Sequence, residues 1–298
     1  MTASATDTGL LIAPDVTDAR LTRLIAGIDQ TGRERDLAVV EERPLTIFLN
    51  ATEIITAMTI GDYPEYLALG FLFNQGMITD MAAVTGIDVD DELDVVVVRT
   101  DEKTDYEDRL ARKVRTSGCA MGTVFGDLAA MVQDVTLAHA AVRTSWLYAL
   151  ARAINTTPSL YLAAGAIHGC VLCQQDTPLI YMEDVGRHNA VDKIAGWMKS
   201  HGIRPDDKIL YTTGRLTSEM ILKTVMMAIP VLVSRSGFTA WGVDLARQSG
   251  LTLIGRLRGR RYLCLAGQDR LVRDAETDTI DDEDPRHHRK GGRDALAP

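Results

Sequence analysis

A chain of 298 residues, 46% of them apolar, is long enough to build two domains with separate cores. Its 41 acidic against 32 basic residues give a formal charge of -9, which argues against general affinity for nucleic acid and requires any anionic ligand to meet a local basic patch. No basic start leads into a long apolar run and no stretch approaches the roughly 18 apolar residues of a membrane span, so a cytoplasmic protein with reduced cysteines is expected.

Residues 1–20 are rich in Thr, Ala and Asp with weak periodicity and read as a poorly ordered arm. A small α+β domain is expected over 21–115. In it "PLTIFLNATEIITAMTI" carries two β-prone runs around Asn50-Ala51, the pattern of a hairpin. "PEYLALGFLFNQGMI" has helical spacing through Tyr66, Leu69, Phe73 and Met77, and "ELDVVVVRT" is a strand. A glycine-flanked Cys119 follows the basic residues Arg109, Arg112, Lys113 and Arg115, which suits an electropositive loop over 116–138, although a basic helix end with a glycine stop fits the same letters.

From 139 to 273 helices and strands alternate at lengths that predict a mixed or mostly parallel sheet flanked by helices. "TSWLYALARAI" is helical, "SLYLAAGAIHGCVLC" and "LIYMEDVG" are strand-like, "NAVDKIAGWMKSHG" is a helix, and two further strand–helix pairs run to "AWGVDLARQSG". "LTLIGRLRGRRYLCLAG" then reads as two strands around a basic turn. The last 25 residues, 274–298, form an acidic block followed by a basic one with almost no apolar residues and are expected to be disordered.

Ligands of such sheets bind beyond the carboxyl ends of strands, so the strand-to-helix junctions are the candidate site. In "EDVGRHNAVDK", Glu183 and Asp184 end a strand, Gly186 permits a turn, and Arg187, His188 and Asn189 precede Asp192 and Lys193 at the start of a helix. Free amide donors at that start suit a phosphate or a polar ring; equally, Asn189 could cap the helix and Glu183 pair with Arg187. "TTGRLTSE" repeats the arrangement with Gly214, Arg215 and Ser218, and "SRSGFTAWG" adds Ser234. Three such turns on adjacent strands are expected to converge on one crevice. In "GRLRGRRY", residues Arg256, Leu257, Arg258, Gly259, Arg260 and Arg261 concentrate guanidinium groups suited to diphosphates; a solvated hairpin turn is the other reading.

With "PLTIFLN", "ALGFLFNQGMI", "GAIHG", "EDVGRHNAVDKIAG", "TTGRLTSEMILK" and "GLTLIGRLRG" in this order, the chain resembles the FdhD family of formate dehydrogenase accessory sulfurtransferases over about residues 40 to 270. The resemblance implies a small N-terminal α+β domain, a C-terminal three-layer α/β domain similar to cytidine deaminase, and a homodimer. It further implies a persulfide taken from a cysteine desulfurase and sulfur passed to the molybdenum bis(molybdopterin guanine dinucleotide) cofactor of the formate dehydrogenase catalytic subunit. Cys119 falls at the family's persulfide cysteine and 256–261 at its cofactor-binding segment. The glycine junctions and His168 are expected to complete the cofactor site, with no metal of the protein's own. The family often has Cys-x-x-Cys at this loop, whereas Gly122 stands here in place of the second thiol.

Two other functions remain open on sequence alone. A chaperone that binds the cofactor without carrying sulfur would use the same junctions. A zinc deaminase would use His168, Cys170 and Cys173, but lacks the glutamate of a His-x-Glu proton shuttle. If 168–173 is a strand, Cys170 and Cys173 point to opposite faces and pack in the core.

Overall fold

The computed structural model describes residues 9–101 and 134–276. Cys119 and the rest of the expected loop up to residue 133 lie outside the described residues, as does the tail from 277.

The N-terminal unit begins with a two-stranded antiparallel ribbon, β1 (Thr22–Ile28) and β2 (Glu34–Val40). A four-stranded sheet follows, built from β3 (Arg43–Leu49), β4 (Thr52–Thr59), β5 (Val84–Asp90) and β6 (Val95–Thr100) in the order β4-β3-β6-β5. Its β3–β4 hairpin turns at Asn50, which adopts a left-handed φ of 54° and is fixed by Thr100 N donating to Asn50 Oδ1 at 2.8 Å. Asparagine tolerates that region, so the turn forms without a glycine.

Helix α1 (Pro64–Asn74) has no polar face: Leu67 through Asn74 are all buried. Such a helix must be covered all round. One side packs on the four-stranded sheet through Leu67, Ala68 and Leu72. The other meets the helix Arg187–Ser200 of the second unit.

The C-terminal unit has three layers. Its six-stranded sheet contains β8 (His168–Gln174), β9 (Thr177–Asp184), β10 (Lys208–Thr212), β11 (Val231–Ser234), β12 (Thr252–Arg258) and β13 (Arg261–Ala266), in the order β13-β12-β11-β10-β8-β9. Strands β10, β11 and β12 are mutually parallel and the outer pairings are antiparallel, so the sheet is mixed. A short pair, β7 (Val142–Arg143) with β14 (Leu271–Val272), lies apart from it. Helices α4 (Arg187–Ser200), α5 (Ser218–Met226) and α6 (Ala240–Gln248) cover one face, and α2 (Thr144–Thr156) covers the other. Strand alternation sorts the side chains: Cys170, Leu172 and Leu210 enter the first layer, and Val171, Cys173 and Tyr211 the second.

Three expectations change. Part of the presumed arm is anchored: Leu11 N donates to Leu179 O at 2.8 Å, Tyr181 N donates to Ile12 O at 2.9 Å, and so residues 11–12 cover the open edge of β9. "SLYLAAGAIHGCVLC" is not one strand. Ser159 starts a four-residue helix, α3 (Leu160–Ala163), by accepting from Leu162 N, and Gly165 turns the chain with φ 78° before β8. Asp274, assigned by composition to the tail, accepts from Ser145 N at 3.0 Å and from Ser145 Oγ at 2.8 Å, capping the first turn of α2.

The two units are joined where α1 crosses α4. A Cβ on Gly70 would stand 1.8 Å from Asp192 O, and one on Gly196 would stand 2.0 Å from Tyr66 O. Both obstacles are backbone, so neither can swing away. Gly70→Ala and Gly196→Ala should each destabilise the protein by about 3 kcal/mol in a denaturant titration. Gly86→Ala, which meets nothing within 4 Å, should stay within about 0.5 kcal/mol of the parent.

Candidate functional site

The three glycine-bearing junctions converge at the carboxyl ends of β9, β10 and β11, although the strands are not all adjacent, since the antiparallel β8 lies between β9 and β10. Arg187 packs across Gly214, where a Cβ would lie 3.0 Å from Arg187 Cδ. Ser234 Oγ donates to Gly214 O at 2.6 Å and accepts from Ser236 N at 2.9 Å. Leu216 N donates to Gly237 O at 2.9 Å, and Thr239 N returns a bond to Leu216 O at 3.0 Å, which zips the second junction to the third. The basic turn joins through Arg256, whose N donates to Ser236 O at 2.8 Å. Thr212 sits beneath: its hydroxyl accepts from Gly214 N at 3.1 Å and from Cys170 Sγ at 3.2 Å.

Around this knot the polar groups are incompletely satisfied. His168 Nδ1, Arg187 Nε and Thr217 Oγ1 are buried without a hydrogen-bond partner. Gly186 and Thr217 occupy the positions before α4 and α5, and neither gives a side-chain cap, so the opening amides of both helices have no hydroxyl or carboxylate of the capping residue on them. Ser218 opens α5, and Arg215 is exposed beside it. Burial, then the cations Arg187 and Arg215, push His168 below its ordinary value and keep its ring neutral. Two arginines, an unpartnered imidazole and two helix starts at one place make an anion site, since a buried guanidinium N–H without an acceptor favours a ligand that supplies oxygens.

Other expected site residues are turned inward. Asp192 accepts from Lys223 Nζ at 2.6 Å and from Asn74 Nδ2 at 2.7 Å, under α1. Lys193 Nζ reaches Asp184 at 2.6 Å and also Asp62. Asn189 does not cap α4; its Nδ2 donates to Met58 O at 2.8 Å and to Asp184 Oδ1 at 2.9 Å. Glu183 does not pair with Arg187; it accepts from Leu160 N and Tyr161 N at 2.8 Å each. His188 is buried with Nε2 3.3 Å from Glu219 Oε2, and burial followed by Lys223 and Arg187 pushes it down to about 2. These residues hold the crevice in shape from behind.

In the basic turn, Arg256 has a left-handed φ of 54° at a bulge between Gly255 and Arg258, and the Phe238 ring fills the space over Gly255. A non-glycine residue held there is strained. The bulge splits the turn: Leu257 is buried in the α2 layer and offers a ligand its backbone alone, while Arg256, Arg258, Gly259, Arg260 and Arg261 are exposed. Arg235, which the sequence places in the third junction with Ser234 and Ser236, lies 5.3 Å from the Tyr161 ring centroid and reaches Asn155 Oδ1 at 3.3 Å. Tyr161 was not singled out from the sequence, hidden by the strand reading of its segment.

The cysteines separate clearly. Burial pushes Cys170 up to about 12 and raises Cys173 further, and Cys264 is raised as well. Cys170 and Cys173 enter opposite layers, so they cannot ligate one ion or form one disulfide, which removes the deaminase ligand set. No helix among the described residues is long and apolar enough to cross a membrane.

Arg187→Ala should weaken binding of inorganic diphosphate about tenfold or more by calorimetry, and added salt should shrink the difference.

Comparison with known proteins agrees with this architecture. Residues 40–272 match the model of the FdhD/NarQ family. The chain is 30% identical to the sulfur carrier protein FdhD of Bacillus pumilus, with 75% of this chain and 86% of that protein covered. It is also 30% identical to the sulfur carrier protein FdhD of Wolinella succinogenes, over 78% of this chain and 84% of that one. A crystal structure described as a formate dehydrogenase accessory protein from Desulfotalea psychrophila superposes with a TM-score of 0.68 at 29% identity, covering 84% of this chain and 98% of that one. The chain belongs to the FdhD/NarQ family.

Proposed function

We propose that this protein is a cytoplasmic sulfur carrier needed for formate dehydrogenase activity, acting as a sulfurtransferase through Cys119. Carrying sulfur requires a thiolate that can reach both donor and acceptor. Cys170 and Cys173 are buried in the core with raised pKa values, and Cys264 is raised by partial burial, so three of the four cysteines are poor thiolates. Cys119 is the fourth, and it follows Arg112, Lys113 and Arg115 in a sequence whose positive charge favours ionisation. In the receipt step the Cys119 thiolate attacks the terminal sulfur of a cysteine desulfurase persulfide. A new S–S bond forms as the old one breaks, the desulfurase thiolate leaves, and no net electrons are exchanged. One thiol suffices for this, which accommodates Gly122.

The acceptor in this reading is molybdenum bis(molybdopterin guanine dinucleotide), bound as substrate on its way to the formate dehydrogenase catalytic subunit. The buried, unpartnered His168 Nδ1 and Arg187 Nε suit its polar and diphosphate groups, as do the exposed Arg258, Arg260 and Arg261. The bound cofactor supplies the metal that receives sulfur; the protein's own residues fix its anionic groups. A homodimer would present two such crevices to one cofactor with two guanine nucleotides.

Incubation with a desulfurase and cysteine should add the mass of one sulfur to the native protein at Cys119. Cys119→Ala should abolish both that adduct and formate dehydrogenase maturation, with affinity for guanosine diphosphate unchanged. Full maturation by the variant would overturn the carrier role. Charge reversal at Arg258 and Arg260 should weaken guanosine diphosphate binding about tenfold or more by calorimetry, and unchanged affinity would remove the turn from the site.

A further inference from the structure

Glu183, the last residue but one of β9, is 2% exposed, yet its carboxylate serves neither the crevice nor an ion pair with arginine. Oε2 accepts from Leu160 N and Oε1 from Tyr161 N, the opening amides of α3. A helix of four residues is far too short to be stable alone, so its position depends on this clamp and on Ser159. Tyr161 in turn lies against the Arg235 guanidinium, and Arg235 stands between Ser234 and Ser236, which tie down Gly214 and Arg256. A continuous set of contacts therefore runs from one carboxylate to the rim of the crevice.

We propose that Glu183 is a positioning residue whose ionised carboxylate fastens α3, and with it Tyr161 and Arg235, so that the crevice tightens on its anion when this group loses its proton. A carboxylate can accept from two amides at once. A neutral carboxyl turns one oxygen into a donor facing an N–H and loses one of the two bonds.

The surroundings place this change near neutral pH. Glu183 faces Asp62 from the segment before α1, Lys193 from α4, and the Tyr181 phenol from its own strand. Lys193 is a single ammonium held by Asp62, Asp184 and the Glu183 carbonyl, the last at 3.0 Å. Burial pushes Glu183 up to about 7 against the pull of its two amides, and burial raises Asp62 too. The native chain then keeps a proton that the unfolded chain releases from its ordinary value, 4.5, upward. This group's favourable contribution to folding is whole below that value and is lost as pH rises to about 7, so the closed clamp is the less stable protonation state.

The inference rests on the crevice being the cofactor's site, and two readouts on the full chain keep the two ideas apart. The first is nitrogen NMR of the Leu160 and Tyr161 amides across neutral pH. Both should titrate together near pH 7 in the parent and stay fixed in Glu183→Gln. The second is calorimetry with guanosine diphosphate. Affinity should rise several-fold as pH increases through about 7 in the parent, beyond any rise in Glu183→Gln, whose own profile reports the ionisation of the nucleotide. Tyr161→Leu should keep the amide titration and lose the extra pH dependence. Amides that do not titrate, or a Glu183→Gln profile identical to the parent's, would overturn the proposal. Should Glu183→Gln fail to fold, the parent's amide titration and the Tyr161→Leu profile decide it. Absence of nucleotide binding at every pH would sink the cofactor reading, and the amides would then decide the clamp by themselves.

Discussion

Everything in this protein is arranged around the contact of α1 with α4. At Gly70 and Gly196 the two helices touch backbone to backbone, closer than any side chain permits. This approach brings Asn74 of α1 to Asp192 of α4, which also holds Lys223 of α5 in a pair with both side chains buried. At the next residue of α4, Lys193 joins Asp184 and Asp62 across the same boundary. Pairs of this kind add little net stability compared with apolar packing, but separating one strands a buried charge at a cost of about 3–5 kcal/mol. They therefore penalise any sliding of α1 along α4, while the glycines set how near it comes.

The crevice follows from that placement. Helix α4 follows Gly186 and carries Arg187 at its first position, so fixing α4 also fixes where Arg187 lies over Gly214. The residues just behind it, Asn189, Asp192 and Lys193, face the N-terminal unit, and those at the front face the strand ends. One helix thus serves the boundary with its buried side and the anion site with its opening turn. The strain at Arg256 lies at the far margin, where the bulge lets Leu257 enter the core while its arginine neighbours stay in solvent. Leu257 is the anchor that permits a run of guanidinium groups on an outer hairpin.

Much of this was legible in the letters. Alternating helix and strand patterns located every long element of the C-terminal unit, because a sheet covered on both faces needs apolar strands and amphipathic helices at regular spacing. The Cys170/Cys173 separation followed from strand geometry alone. Other features depend on tertiary contacts that no local pattern encodes. The β1–β2 ribbon was missed since most of its residues are exposed and show no clean alternation. Leu160 to Ala163 look like a strand, and become a helix because Glu183, distant in sequence, holds their amides. Asp184, Asp192 and Lys193 look like ligand groups by residue type, and what the sequence could not say is that Thr59, Asp62 and Asn74 would take up their polar atoms. Charged residues beside a glycine turn mark a polar network, and only the fold tells which members face out.

The apolar girth of α1 also has a meaning for biosynthesis. Its own sheet is complete by Thr100, but the helix that covers its other side begins only at Arg187. At ordinary ribosomal speeds on the order of ten seconds pass between the two. Through that interval the nascent N-terminal unit carries Gly70 and its neighbours uncovered, so the newborn chain is most open to self-association or to capture by a holding factor before its second half emerges.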